Sequence, residues 1–227
     1  MKWNPKFAYP NSTRSLINGS RHYSLDGSNL PSVTTILSAT KNEEDKAAIL
    51  AWKQRVGSVE AERIKKEASV RGSSMHSYIE QFLYGKLNQE LLDDNNKSKK
   101  MAEEIIDNGL KNKLIEIWGS EATIYYPGKY AGTADCIGVY EGKESILDFK
   151  QSNKPKKEEY IEDYFLQIGA YSLAHNTVYN SNITQGVILI CTVDRLFQDF
   201  KIEGNELINF QNKFLERVEK FYQLINK

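Results

Sequence analysis

One ordered set of residues in this chain could do chemistry together: Arg71-Gly72 with His76, then Glu121, Asp135, Asp148-Phe149-Lys150, and Gln167 with Tyr171. Carboxylates supply the hard oxygen ligands that Mg²⁺ or Mn²⁺ takes, and a neighbouring ammonium suits charge developing on a phosphate. Acid-x-Lys is a weak pattern alone, and Glu44-Asp45-Lys46 and Glu141-Gly142-Lys143 repeat it at a helix start and in a turn. Asp148 and Lys150 differ in lying on a strand, where alternate residues share a face while Leu147 and Phe149 enter the core. An exposed, salt-bridged edge strand would show the same tripeptide.

Asp135 strengthens the reading. It sits midway along Gly132–Ile137, expected to be an otherwise buried strand, a short turn away from Asp148. A carboxylate there needs a cation, a basic group or hydrogen-bond donors, since burying it alone is costly. A shared Mg²⁺ or Mn²⁺ would answer both aspartates, with the Phe149 backbone carbonyl as a further ligand; a salt bridge to Lys150 is the other solution. His76 is either a core histidine or a nitrogen ligand that biases the site toward Mn²⁺. Glu80, one turn on, is a supporting acid or a surface one, and Gln167 and Tyr171 share a helix face suited to a lysine or phosphate contact.

The elements that must position these groups change period part-way along. Pro31-Ser32 opens a short helix to Leu37; a longer one covers about 43–67, its stripe made by Ile49, Trp52, Val56 and Val59. A third, about 69–84, carries His76, Ile79, Glu80 and Leu83. A polar connection spans 85–100, and helix is expected again to about Trp118. Strands follow at 121–126, 132–140, 145–150, 186–192 and 197–202, with a turn at Glu141-Gly142-Lys143. Helices are expected at 160–179 and 205–225. The order predicts an α/β fold, a mixed sheet with one helical crossover, edged by helices. Residues 1–30 read as an extension with a small hairpin at Tyr23–Gly27, and 31–227 as one domain, helical to about 118 and sheet-based from about 119.

Composition bounds the partners. The 227 residues suit one domain. Thirty Lys and Arg balance thirty Asp and Glu, so a grip on nucleic acid must come from local clusters. Cys136 and Cys191 read as reduced core residues, and the three histidines lack zinc spacing. No apolar run is long enough to span a bilayer.

The ordered residues resemble the PD-(D/E)XK nuclease superfamily, in its RecB-like branch with a motif histidine and a trailing Gln-x-x-x-Tyr. Pro31–Leu37, Trp52–Arg55, Asp135-Cys136, Gly142-Lys143, Lys154-Pro155-Lys156, Leu166-Gln167 and Ala170-Tyr171 narrow the likeness to exonucleases of that branch, over roughly residues 30–225. The resemblance implies a restriction-endonuclease-like core and a Mg²⁺- or Mn²⁺-dependent DNA exonuclease preferring single-stranded ends. Asp135 and Asp148 become metal ligands, Lys150 the catalytic lysine, His76 the motif histidine and Glu121 the early acid. Arg71, Ser152, Lys154, Lys156, Lys157 and Tyr130 are candidate DNA contacts, with sheet packing the equal alternative for Tyr130. Gln151 departs from the small hydroxyl residue usual after the lysine. Two cysteines cannot hold the four-cysteine iron–sulfur cluster of some relatives. No import leader is evident, so a cytoplasmic setting in a bacterium or phage-infected cell is expected. A catalytically silent DNA-binding module of the same fold is the alternative.

Overall fold

The computed structural model describes residues 1–25, 27–86 and 96–226. Of the expected polar connection over 85–100, residues 87–95 lie outside these, as does Asp26 of the expected turn. The elements run β1 (Lys2–Trp3), β2 (Thr13–Ile17), β3 (Ser20–Leu25), β4 (Ser28–Pro31), α1 (Val33–Ala39), α2 (Glu43–Val56), α3 (Ser58–Leu83), α4 (Lys97–Ile105), β5 (Leu114–Tyr126), β6 (Tyr130–Tyr140), β7 (Lys143–Ser152), α5 (Glu162–Tyr179), β8 (Gln185–Thr192), β9 (Phe197–Glu203) and α6 (Asn205–Ile225).

The main sheet has the order β1-β5-β6-β7-β8-β9. Strands β5, β6 and β7 form an antiparallel meander, and α5 carries the chain over to β8, which pairs parallel to β7. This is the mixed α/β sheet the periodicity predicts. The β6–β7 turn falls at Glu141 and Gly142, both with positive φ, as a tight two-residue hairpin requires. One face of the sheet, with Ile137, Ile146, Ile188 and Ile190, is covered by α1, α5 and α6. The other, with Leu147, Phe149, Val187 and Leu189, is covered by α3 and α4. Leu147 and Phe149 thus pack opposite to Asp148 and Lys150, as strand alternation demands.

Two helical expectations need correction. The long helix does not run to residue 67: it breaks at Gly57, whose φ of 84° ends α2 and starts α3, and α3 then passes through Ser69 without interruption. The proposed stripe is not core, since α2 buries no residue and Val59 is 85% exposed. Helix also stops short of Trp118. α4 ends in a π-helical turn over Ile106–Leu110, and β5 begins at Leu114. Register shifts at Leu114/Glu116 and Ile117/Gly119 insert extra residues into β5. Each such bulge stretches the two-residue alternation, so buried Leu114 and Ile117 fall three apart and mimic a helix. Cys136 and Cys191 are buried free thiols. No helix among the described residues is long and apolar enough to cross a membrane.

Candidate active site

The β6–β7 hairpin brings its acids together because its register is set by the turn. Cys136 pairs with Leu147, placing Asp135 against the end of the Asp148–Lys150 segment. Asp135 Oδ2 accepts a hydrogen bond from the Phe149 N–H at 2.7 Å. On the neighbouring strand, Ser120 pairs with Cys136 and Ala122 with Ala134, which sets Glu121 opposite Asp135. Glu121 holds a left-handed φ of 49°, a strain of about 1–3 kcal/mol for a residue with a side chain, and such strain collects at functional sites.

From the other side α3 presents His76. One ring nitrogen, Nε2, lies 2.8 Å from the Phe149 carbonyl. Nδ1 then faces the acids, 3.5 Å from Asp135 Oδ1 and 3.8 Å from Glu121 Oε1. Ligand atoms of His76, Glu121 and Asp135 lie within 4.8 Å of one another, so these three can hold one metal ion. The Phe149 carbonyl, expected as a further ligand, lies instead against the other ring nitrogen, Nε2, and is engaged by the imidazole. Glu80 is half-buried, and burial and then the charge of Glu121 raise its pKa.

Asp148 and Lys150 form the second half. Asp148 is 1% exposed, and its Oδ2 lies 2.5 Å from Lys150 Nζ. That contact pairs the charges without the alignment of a hydrogen bond, so Oδ2 is a buried oxygen with no hydrogen-bond partner. Lys150 Nζ donates instead to Gln167 Oε1 at 3.1 Å, and Gln167 Nε2 donates to the Tyr171 hydroxyl at 3.0 Å. Gly132 leaves room for Tyr171, since a Cβ there would meet the ring at 2.6 Å.

The electrostatics follow from this crowding. Burial pushes Asp148 up to about 6, opposed by Lys150 and aided by Asp135. Burial works the same way on Asp135, but His76, Lys150 and the Phe149 N–H outweigh it and hold that carboxyl below its ordinary value. Burial would lower His76, yet Asp135 and Glu121 carry it up to about 10. Lys150, also opposed by burial, is raised by Asp148 and Asp135. The metal-free site therefore holds an imidazolium and an ammonium against its acids. An oxygen-rich donor set with one imidazole, from His76, Glu121 and Asp135, fits a hard divalent cation.

No family model matches the chain. It is 28% identical over 215 residues to mitochondrial genome maintenance exonuclease 1 of Xenopus tropicalis, covering 88% of this chain and 59% of that protein. It is 28% identical over 205 residues to the Homo sapiens protein of the same name, covering 85% and 58%. The chain resembles a PD-(D/E)XK nuclease. It spans about three fifths of the length of these curated relatives. Looser likenesses are a phage-related exonuclease from Haemophilus somnus (17% identity, TM-score 0.38, covering 68% of this chain and 82% of that one) and an alkaline exonuclease from Laribacter hongkongensis (15%, 0.33, covering 65% and 79%).

Two of the expected DNA contacts of this PD-(D/E)XK-like chain lie elsewhere. Tyr130 is buried, donates its hydroxyl proton to the Ala170 carbonyl at 2.9 Å and packs on Phe214, so it belongs to the core. Ser152 is buried too, its hydroxyl spent on the Lys154 backbone. Arg71 is tied to Gln151 and Asn153, linking α3 to the end of β7. Lys154 and Lys156 line an open depression of about 360 Å³ with Tyr164, and exposed Lys157 pairs with Glu159.

A PD-(D/E)XK motif reading also misses part of the cleft. Its volume is about 210 Å³, and Arg14, Arg21 and Tyr23 of the β2–β3 hairpin line it beside the acids. Arg14 donates to Thr133 Oγ1 at 2.9 Å and lies 3.9 Å from Glu121. No local spacing connects that hairpin to a motif a hundred residues on; the bare basic composition of the first 25 residues was the only signal.

Proposed function

We propose that this chain is a Mg²⁺- or Mn²⁺-dependent deoxyribonuclease that trims DNA from single-stranded ends, in replication, repair or recombination. One observation carries the reading: a single cleft joins a three-donor metal cluster, His76, Glu121 and Asp135, to the buried Asp148–Lys150 pair. The likeness to two exonucleases supports it.

His76, Glu121 and Asp135 would hold the cation, with Asp148 facing the same cleft. Bound there, it supplies positive charge that acidifies a water and draws charge from a phosphate. The chain's own groups do the rest. Lys150 is an ammonium at neutral pH, because two aspartates hold its proton, so it serves as a charged donor rather than a base. Gln167 aims it, and Tyr171 aims Gln167. Arg14 and Arg21 bring two further cations to the rim, where a phosphate backbone can meet them. Lys154 and Lys156 offer the same beyond Lys150.

The test is end-labelled single-stranded and duplex DNA incubated with Mg²⁺, Mn²⁺ or EDTA, beside Lys150→Ala. Metal-dependent trimming that the variant loses supports the proposal, and label position gives polarity. Binding without cleavage under every metal would leave a silent DNA-binding module instead.

A further inference from the structure

Beside the acid cleft lies a trough of about 480 Å³ between the N-terminal segment and β5. Arg14 and Glu121 line both, so trough and cleft adjoin. The trough is aromatic where the cleft is charged. Trp3 and Tyr84 line it and stack on each other, ring centroids 4.8 Å apart and planes 14° from parallel. Two contacts fix the Trp3 ring in place. Its backbone pairs with Ile117 in the β1–β5 ladder, and its indole N–H donates to the Leu83 carbonyl at 2.6 Å. Tyr84 is the exposed partner, 43% accessible, with Lys86 Nζ 5.3 Å from its ring centroid.

Position adds to chemistry. His76, Glu80 and Tyr84 follow one another at four-residue intervals, so they lie along one side of α3 and its cap. Eight residues of helix carry the chain about 12 Å, which sets Tyr84 a short step along a polynucleotide from the metal cluster. A single exposed tyrosine needs no explanation. A tyrosine backed by an immobilised indole, flanked by a lysine and lining a trough beside the acid cleft is different: it is a preformed surface of the kind on which bases stack.

We infer that the Trp3–Tyr84 pair is a stacking subsite for one unpaired nucleobase of the strand whose phosphate occupies the acid cleft. The inference rests on the nuclease reading and deepens it. A base inside a duplex has both faces covered by its neighbours, whereas an unpaired one offers a free face, so this subsite would favour single-stranded ends.

The test measures binding of a fluorescein-labelled oligothymidylate to the full chain in EDTA, which holds cleavage off. Tyr84→Ala should weaken binding about tenfold, while Tyr84→Phe, which keeps the ring, should stay within about twofold. Thermal melting of both variants checks that the fold is intact. Replacing one thymidine at a time by an abasic residue should weaken the parent at one position, and that position should have no effect in Tyr84→Ala. Equal affinity of Tyr84→Ala and parent, or the same abasic loss in both, overturns the subsite. Should the parent trim DNA with Mg²⁺ or Mn²⁺ while Tyr84→Ala binds as the parent does, the subsite falls and the nuclease stands. A parent that neither binds nor trims removes both.

Discussion

Gln167 takes a hydrogen bond from the Lys150 ammonium at 3.1 Å, while Asp148 Oδ2 lies 2.5 Å from the same nitrogen. Without it the ammonium would be free to settle wholly on Asp148, away from a bound phosphate. The Tyr171 hydroxyl accepts from the glutamine amide and leaves its oxygen pointed at the lysine.

Gln167→Ala should therefore lower kcat about tenfold with KM little changed, because what is lost is aim and not binding surface. The cost in stability should be about 1.5–3 kcal/mol, the range for a hydrogen bond to a charged group. Steady-state kinetics on single-stranded DNA checks it. A rise in KM at constant kcat would make Gln167 a substrate contact instead.

Lys150→Ala should do two things at once. Turnover should fall on the order of 100-fold or more. The metal-free protein should also lose about 3–5 kcal/mol at neutral pH, since Asp148 is left as an uncompensated buried charge. Adding Asp148→Asn removes that charge, so the double variant should melt above Lys150→Ala while remaining inactive. Melting curves in EDTA decide; a double variant no more stable than the single one would show that the pair is not coupled.

The half of the site built from strands and a helix face was legible in the sequence, because those groups obey local spacing. Asp148 and Lys150 alternate on one strand, and Gln167 and Tyr171 stand one helical turn apart. The helix at 205–225 was equally plain, its apolar stripe running unbroken to Phe221. Bulges hid the start of β5 by imposing a false helical period on Leu114 and Ile117. Gly57 hid as an ordinary residue within a helical pattern, yet its positive φ divides α2 from α3. Arg14 and Arg21 reach the cleft only through tertiary packing of the hairpin, which no spacing encodes. For Tyr130 the sequence left open a base-stacking contact or sheet packing, and it is core, because strand residues say which face they share but not which face is wet.

His76 yields a prediction about metal uptake. Asp135 and Glu121, prevailing over burial, carry its pKa to about 10, so in the metal-free protein at pH 7 the ring is an imidazolium. A nitrogen that ligates must give up its proton. Binding of Mn²⁺ at pH 7 should release about one proton per site, visible as a buffer-dependent heat in isothermal titration calorimetry. His76→Ala should bind more weakly and release none. Proton release unchanged in the variant would place the titrating group elsewhere.

His175 makes a separate statement about stability, away from the acids. It is fully buried, with Nδ1 2.6 Å from Ser181 Oγ and Nε2 3.0 Å from the Tyr9 hydroxyl. Burial, then the charge of Lys6, lowers its pKa from the ordinary 6.5 to about 4. Between those values the unfolded chain holds a proton that the native protein refuses, so stability rises with pH across the window. The contribution is complete above about 6.5 and is lost as pH falls toward 4, a change of about 3 kcal/mol. Asp148, raised to about 6, titrates with the opposite sign over part of the same range, so the parent curve alone is ambiguous. Subtracting the melting curve of His175→Gln isolates the histidine. The parent should lose stability more steeply than the variant between pH 6.5 and 4, and parallel curves would show that His175 takes up its proton in the folded state as readily as in the unfolded one.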